Sequence, residues 1–103
     1  MAKNEVIEIL NSYIHLLRVE GIQVDRAFLY GSYLSDTATS ESDIDLMIVT
    51  ENEMDDNLAG KIWKLTKKVN SKIEPFLVGA NRFNSNDNSP LVDLVKRTGI
   101  EIV

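Results

Sequence analysis

Apolar residues recur every three or four positions in two segments, the spacing of one face of a helix. In the first segment, 4–20, they are Ile7, Leu10, Ile14 and Leu17. In the second they are Met54, Leu58, Ile62, Leu65 and Val69. We expect Asn4 to cap the first helix and Gly21 to end it in the left-handed conformation. The pattern therefore predicts two amphipathic helices, each with one buried face.

Runs rich in β-branched, aromatic and other apolar residues predict strands over 24–30, 44–50, 72–78 and 100–103. Within the first, the unbroken apolar run 27–30 indicates burial on both faces. A short helix is predicted to begin near Ser32, and another to run from the cap Ser89 to Arg97. Helices alternate with strands, which predicts an α/β or α+β fold with a small mixed sheet flanked by helices.

Length and composition narrow the class of protein. The chain has 103 residues and is 44% hydrophobic, which predicts one domain with one modest core. We see no secretory signal and no membrane-spanning run, and the sequence has no cysteine, so we expect a cytoplasmic protein. The net charge of −5 and the lack of a basic patch with aromatic residues disfavour direct nucleic-acid binding.

Two aspartates, Asp43 and Asp45, stand one residue apart at the start of the second strand. Residues i and i+2 of a strand face the same way, so we expect the two side chains to lie together while Ile44 and Leu46 point to the other face. Carboxylates that close repel each other unless a cation lies between them. Hard oxygen ligands favour Mg²⁺ or Mn²⁺, and magnesium commonly also binds substrate phosphates.

Gly31 and Ser32 follow the first strand, where backbone N–H groups can receive a phosphate and glycine allows close approach. Ten residues separate this pair from Asp43-Ile44-Asp45. Each of these two motifs has a simpler structural interpretation. Gly-Ser alone can be a tight turn, and an aspartate pair alone can cap a strand. The joint spacing, with an apolar strand beside each motif, favours a catalytic site.

These residues resemble the signature of the minimal nucleotidyltransferases of the DNA polymerase beta superfamily, and the resemblance extends over essentially the whole chain. It implies nucleotide binding by Gly31 and Ser32, and two Mg²⁺ ions, or Mn²⁺, held by Asp43 and Asp45. It also implies a third metal-binding carboxylate on a later strand, which can take the proton from the attacking hydroxyl. Glu74 matches that position, and its simpler interpretation is a solvent-facing strand residue.

The sequence departs from the family pattern at two places. The third carboxylate is usually an aspartate and is here Glu74, followed by Pro75, which predicts an edge strand or a bulge. After Gly-Ser, many relatives have an arginine where this chain has Ser35, and Asp36 follows. Lysines of the second helix are candidates to compensate, although the simpler interpretation, a solvated helix face, is the favoured one: Lys61, Lys64, Lys67 and Lys68.

The resemblance implies transfer of a nucleoside monophosphate, with ATP as the expected donor, to a hydroxyl of a protein. Similar proteins are antitoxins that pair with a separate helical HEPN-type protein, often an RNase toxin, and some adenylylate a tyrosine of it. The alternative hypothesis is a binding module that neutralises its partner by complex formation alone. Trp63 beside Ile62 predicts an apolar interface patch, which a second copy of the chain can also occupy.

Overall fold

The computed structural model describes residues 2–35, 37–39, 41–52, 55–86 and 89–103. Two residues used in the sequence predictions, Asp36 and Met54, lie outside these ranges. The elements in chain order are α1 (Lys3–Val19), β1 (Val24–Tyr30), a 3₁₀ turn (Gly31–Tyr33), β2 (Ile44–Thr50), α2 (Asp56–Thr66), β3 (Ile73–Gly79), α3 (Ala80–Phe83), α4 (Pro90–Thr98) and β4 (Ile100–Glu101).

The strands form one mixed sheet in the order β3-β2-β1-β4. β1 runs antiparallel to β2 and to β4, whereas β2 and β3 are parallel. Alternate residues of β1 and β2 enter two separate clusters of buried apolar side chains. One cluster joins the sheet to α1 and α2, and the other joins it to α3 and α4. The predicted fold class, a small mixed sheet flanked by helices, is therefore confirmed.

Helix α1 ends as predicted but begins earlier. Gly21 has φ +86°, and the N–H groups of Gly21 and Ile22 donate to the carbonyls of Arg18 and Leu17, the bonding pattern of a Schellman cap. The predicted cap Asn4 is wrong, because the N-cap is Ala2, whose side chain makes no capping bond. The helix therefore starts at Lys3, and Val6 near its start is fully buried in the core.

Helix α2 is held at its start by a side-chain cap and along its length by α1. Asp55 accepts a hydrogen bond from the N–H of Leu58 at 2.8 Å. The buried hydroxyl of Tyr13 donates to the Ile62 carbonyl at 2.7 Å, which fixes α1 against α2. The predicted stripe continues to Val69, but the helix ends at Thr66, and a turn follows in which the N–H groups of Val69 and Asn70 both donate to the Thr66 carbonyl.

Strand β3 lies at the edge of the sheet, as Pro75 predicted. An edge position suits proline, which has no N–H to donate to a second neighbour. At the opposite edge β4 is shorter than predicted, although Ile102 still donates to the Ala27 carbonyl at 2.7 Å. Its Glu101 forms a bidentate ion pair with Arg26 of β1.

The outer face of α2 carries exposed residues of two kinds. Trp63 is 48% exposed, so this aromatic side chain is not part of the core. Lys61, Lys64 and Lys68 line a surface cavity together with Glu20 from the end of α1, whose carbonyl accepts a hydrogen bond from Lys61. Glu20 precedes the start of β1, whereas Gly31 follows its end, so this basic surface lies away from the Gly-Ser turn.

Among the described residues, no helix is both long and apolar enough to cross a membrane.

Candidate active site

One row across three neighbouring strands contains Tyr30, Asp45 and Glu74. Tyr30 of β1 is the direct partner of Asp45 of β2, and Asp45 is the direct partner of Glu74 of β3. Directly opposed residues lie on the same face of a sheet, so the two carboxylates are neighbours. The strand that carries Asp45 thus pairs with the strand that carries Glu74, and the row lies where β1 ends and β2 and β3 begin.

Asp43 completes the acidic group from just before β2. Its carboxyl group lies near enough to that of Glu74 for hydrogen bonding, and this interaction is one cause of the raised pKa of Glu74. Asp43 and Glu74 are exposed, whereas Asp45 is half-buried. The structure therefore brings together all three carboxylates that the sequence singled out.

The electrostatics of the group follow from burial and mutual repulsion. Partial burial and the charge of Asp43 raise the pKa of Asp45 above its ordinary value. The pKa of Glu74 is raised by loss of solvent, then by the charge of Asp43, the hydrogen bond with it and the charge of Asp45. Neighbouring like charges oppose ionisation of the Asp45 and Glu74 carboxyl groups. A cation bound between them would relieve this repulsion.

Gly31 allows the turn after β1 to lie against Asp45. Its φ is +81°, in the left-handed region that favours glycine. A Cβ at this position would collide with the Oδ2 atom of Asp45 and lie 3.0 Å from its Cγ atom. The Gly-Ser turn therefore lies against Asp45, and this contact depends on the missing side chain of residue 31.

Ser32 and its neighbours form a braced turn. The carbonyl of Ser32 accepts hydrogen bonds from the N–H of Thr37 and from the hydroxyl of Ser35, each at 3.3 Å. Tyr33 anchors the turn in the core with only 5% of its surface exposed. Ser35, at the position where many relatives carry arginine, thus stabilises the turn and adds no charge to it.

Sequence reasoning missed Tyr30 as a member of the site. Burial, followed by the charges of Asp45 and Glu74, raises the pKa of its hydroxyl, which keeps the hydroxyl protonated. The sequence did contain a signal for Tyr30, which is the last strand residue before Gly31. Because β1 and β2 are antiparallel, the end of β1 lies opposite the first residues of β2. Only the register identifies Asp45 as its partner.

The donor set of the site suits a hard divalent cation. Carboxylate oxygens are the ligands preferred by Mg²⁺ and Mn²⁺. In the present positions of the described side chains, no group of three or more acidic, histidine or cysteine residues has the arrangement of a metal centre. Asp43, Asp45 and Glu74 thus fit such an ion by chemistry, and their side chains would have to turn toward it.

The raised pKa values predict how stability changes with pH. A carboxyl group whose pKa is higher in the folded chain binds protons more readily when folded, so stability falls as pH rises from the unfolded to the folded pKa. We expect the variant Asp45→Asn Glu74→Gln to be more stable than the wild type near pH 7, and this advantage to shrink toward about pH 4. Urea unfolding of both proteins at the two pH values measures this difference in stability.

The matched control for this pH experiment is Glu101→Gln. The hydrogen bond from Arg26 lowers the pKa of Glu101, so its stabilising contribution is present above the unfolded pKa and is lost as pH falls. This variant should therefore be less stable than the wild type near pH 7, with a deficit that shrinks in acid. An advantage of the double variant that grows in acid would contradict the assigned electrostatics.

The comparison with protein families defines the class. The family model "Polymerase beta, Nucleotidyltransferase" matches residues 4–103. The chain therefore belongs to the polymerase beta nucleotidyltransferase family, and it is a nucleotidyltransferase-type domain. No curated protein matches the sequence significantly.

Solved structures with the same fold include toxin-antitoxin complexes. A chain of a toxin-antitoxin crystal structure with AMP-PNP is 24% identical with a TM-score of 0.66, over 90% of this chain and 71% of that one. A chain of the complex of tri-AMPylated Shewanella oneidensis HEPN toxin with MNT antitoxin is 21% identical with a TM-score of 0.60, over 100% and 72%. A putative nucleotidyltransferase from Sulfolobus solfataricus is 11% identical with a TM-score of 0.60, over 79% and 73%. At these identities the likeness concerns the fold.

Proposed function

We propose that this protein transfers a nucleoside monophosphate from a nucleoside triphosphate, with ATP as the first donor to test, to a hydroxyl of a partner protein. The observation that supports this most is the row in which Glu74 is paired with Asp45 while Gly31 lies against Asp45. This geometry offers a phosphate-binding turn and an acidic group at one end of the sheet. Family membership supplies the class of reaction.

The proposed roles follow the positions of the residues. The backbone of Gly31 and Ser32 binds the β- and γ-phosphates, and Asp43 and Asp45 hold two Mg²⁺ ions, or Mn²⁺, with Glu74 contributing to one. When bound, these ions would neutralise charge on the triphosphate and on the leaving group. The acceptor oxygen forms a bond to the α-phosphorus, the bond to the β-phosphate oxygen breaks, and pyrophosphate leaves.

Glu74 is proposed to take the proton of the acceptor hydroxyl. A carboxylate is the form of this side chain that can accept a proton. Its position is also suitable, because it is exposed on the outermost strand and can be reached from solvent. Asp45, half-buried between β1 and β3, is better placed for holding a cation than for meeting an acceptor.

The partner we propose is a separate helical protein of the HEPN type, with this chain acting as the antitoxin. Two of the structural neighbours come from toxin-antitoxin complexes, and one of these contains an AMPylated HEPN toxin. The requirement for ATP and the absence of cysteine favour the cytoplasm as the compartment. Two copies of the chain can also associate through the exposed Trp63.

The test is transfer of label from α-labelled ATP in the presence of Mg²⁺. The purified protein is incubated with a co-expressed helical partner and, separately, with a cell extract. We expect a labelled protein band that requires Mg²⁺ and resists denaturation, as a covalent bond does. Absence of label in both reactions, together with no thermal shift on adding ATP and Mg²⁺, would contradict the proposal.

A second candidate function is a binding module without turnover. It is favoured by Ser35, which replaces a positive charge beside the phosphate-binding turn, and by the longer Glu74 in place of aspartate. In this case the complex alone neutralises the partner. The aspartate variants considered in the Discussion separate the two functions.

Variants of Glu74 test its role as proton acceptor. We expect Glu74→Gln to lower the rate of label transfer by about 10²–10⁴-fold, the usual contribution of a general base. Glu74→Asp should retain a larger part of the rate, because it keeps the carboxylate and changes only its reach. Initial rates are compared with those of Glu5→Gln, which removes an exposed carboxylate from α1. Equal rates for Glu74→Gln and the wild type would remove Glu74 from the mechanism.

A further inference from the structure

A cavity of about 640 Å³ lies between the Gly-Ser turn and helix α4. Its lining is largely apolar and consists of Tyr30, Gly31, Leu34, Ser35, Leu91, Leu94 and Thr98. Leu94 is 47% exposed although it lies on the short helix that covers this face of the sheet. The volume is in the range of sites that bind small molecules.

The cavity is continuous with the proposed phosphate site. Gly31 is common to both, because it lies against Asp45 and also lines the cavity. Phosphates do not suit a wall built from leucine side chains, since a charged group loses its hydration there. The part of a nucleoside triphosphate that does suit it is the base, which has flat apolar faces.

We propose that this cavity binds the base of the donor nucleotide, with Leu34, Leu91 and Leu94 against its faces. This inference rests on the proposed function, because it extends the same site from the phosphates to the nucleoside. It assigns to α4 a role in substrate binding in addition to its packing against the sheet. Residues of the Gly-Ser turn and of α4 then contact a single ligand.

Two hydroxyl groups that line the cavity, those of Ser35 and Thr98, already form hydrogen bonds within the protein. The Ser35 hydroxyl lies 2.9 Å from the Thr37 hydroxyl and donates to the Ser32 carbonyl, and the Thr98 hydroxyl donates to the Leu94 carbonyl at 2.7 Å. They therefore contribute little to reading the hydrogen-bonding edge of a base. Apolar sites discriminate weakly between ligands of similar shape. We expect ATP, GTP, CTP and UTP to compete within about tenfold of one another, with the larger purines ahead.

The experiment compares the affinity of the wild type for Mg²⁺-ATP with that for Mg²⁺-tripolyphosphate, which has no base. Titration calorimetry then measures both ligands on Leu94→Ala and Leu94→Asn. We expect ATP to bind the wild type more tightly than tripolyphosphate, and both variants to lose about fivefold in ATP affinity, the effect of about half a buried leucine. Their tripolyphosphate affinity should not change. The control is Val19→Ala, which removes an exposed apolar side chain from α1.

The outcomes separate this inference from the proposed function. The assignment of the cavity is overturned if the wild type binds ATP no more tightly than tripolyphosphate, or if both Leu94 variants bind ATP as tightly as the wild type. Neither result would contradict the proposed nucleotidyl transfer. If the Leu94 variants bind ATP as tightly as the wild type but no longer transfer label, the cavity would be assigned to the acceptor instead. If the wild type binds neither ligand, the proposed function fails and the cavity assignment fails with it.

Discussion

Replacing Asp45 with asparagine should abolish nucleotidyl transfer and leave the fold at least as stable as the wild type. Asp45 lies at the centre of the row, between Tyr30 and Glu74 and against Gly31. Its charge is opposed by burial and by Asp43, so the neutral amide removes an unfavourable interaction from the folded chain. The same change removes a proposed metal ligand, and we expect label transfer to fall by about a thousandfold.

Two measurements on the same sample test this prediction. Urea unfolding near pH 7 gives the stability, and transfer of label from ATP gives the activity. The matched control is Asp93→Asn, which neutralises an exposed aspartate in the first turn of α4 and should retain activity. A variant Asp45→Asn that is less stable and still active would show that the charge is structural.

The aspartate variants also distinguish catalysis from simple binding. If the protein neutralises its partner by modifying it, Asp43→Asn and Asp45→Asn should each leave a complex that no longer protects cells from the partner. If complex formation is sufficient, both variants should protect as well as the wild type. The variants are co-expressed with the partner. Growth of the cells then measures protection, and a pull-down from the same cells measures formation of the complex.

Replacing Gly31 with alanine should damage both stability and activity. The left-handed backbone at φ +81° costs a residue with a side chain about 1–2 kcal/mol. The new methyl group would also displace the Asp45 carboxylate from the turn. A displacement of about 1 Å at a reacting site can lower the rate by about a hundredfold. Unfolding free energy and rate of label transfer are the quantities to measure.

The chain offers two glycine controls for this substitution. Gly21 has a similar φ of +86°, and an added Cβ would meet no atom within 4 Å, so Gly21→Ala reports the backbone cost alone. Gly60 lies within α2 in open space, and Gly60→Ala should raise stability by about 0.5–1 kcal/mol. Activity should survive in both. If Gly31→Ala is no more damaging than Gly21→Ala, the contact with Asp45 is unimportant.

The central elements were predictable because their signals are local. The bounds of β1 and β2 agree with the predictions, since apolar runs flanked by polar turns define them. Gly31, Asp43 and Asp45 were found by their spacing, and Glu74 by a resemblance that the register with Asp45 supports. Pro75 predicted an edge strand or a bulge, and the edge position is the one that the sheet order shows.

What the sequence could not supply depends on contacts between distant segments. The start of α1 was misjudged because its N-cap is Ala2, which makes no side-chain capping bond, so no residue type marks the start of the helix. Tyr30 was missed because its place beside Asp45 follows from strand register. The cavity beside Gly31 combines a turn with a helix about sixty residues later in the sequence, and no local pattern reports such proximity.

The edge position of β3 has a consequence for the size of the acceptor. Glu74 lies on the rim of the sheet rather than in a cleft, so a folded protein can approach it sideways and present one hydroxyl without being unfolded. A rim offers few contacts to a small free alcohol, which we expect to be a poor substrate. Selectivity for the acceptor then resides in the surfaces around that hydroxyl, and changes there should alter recognition without touching the carboxylates.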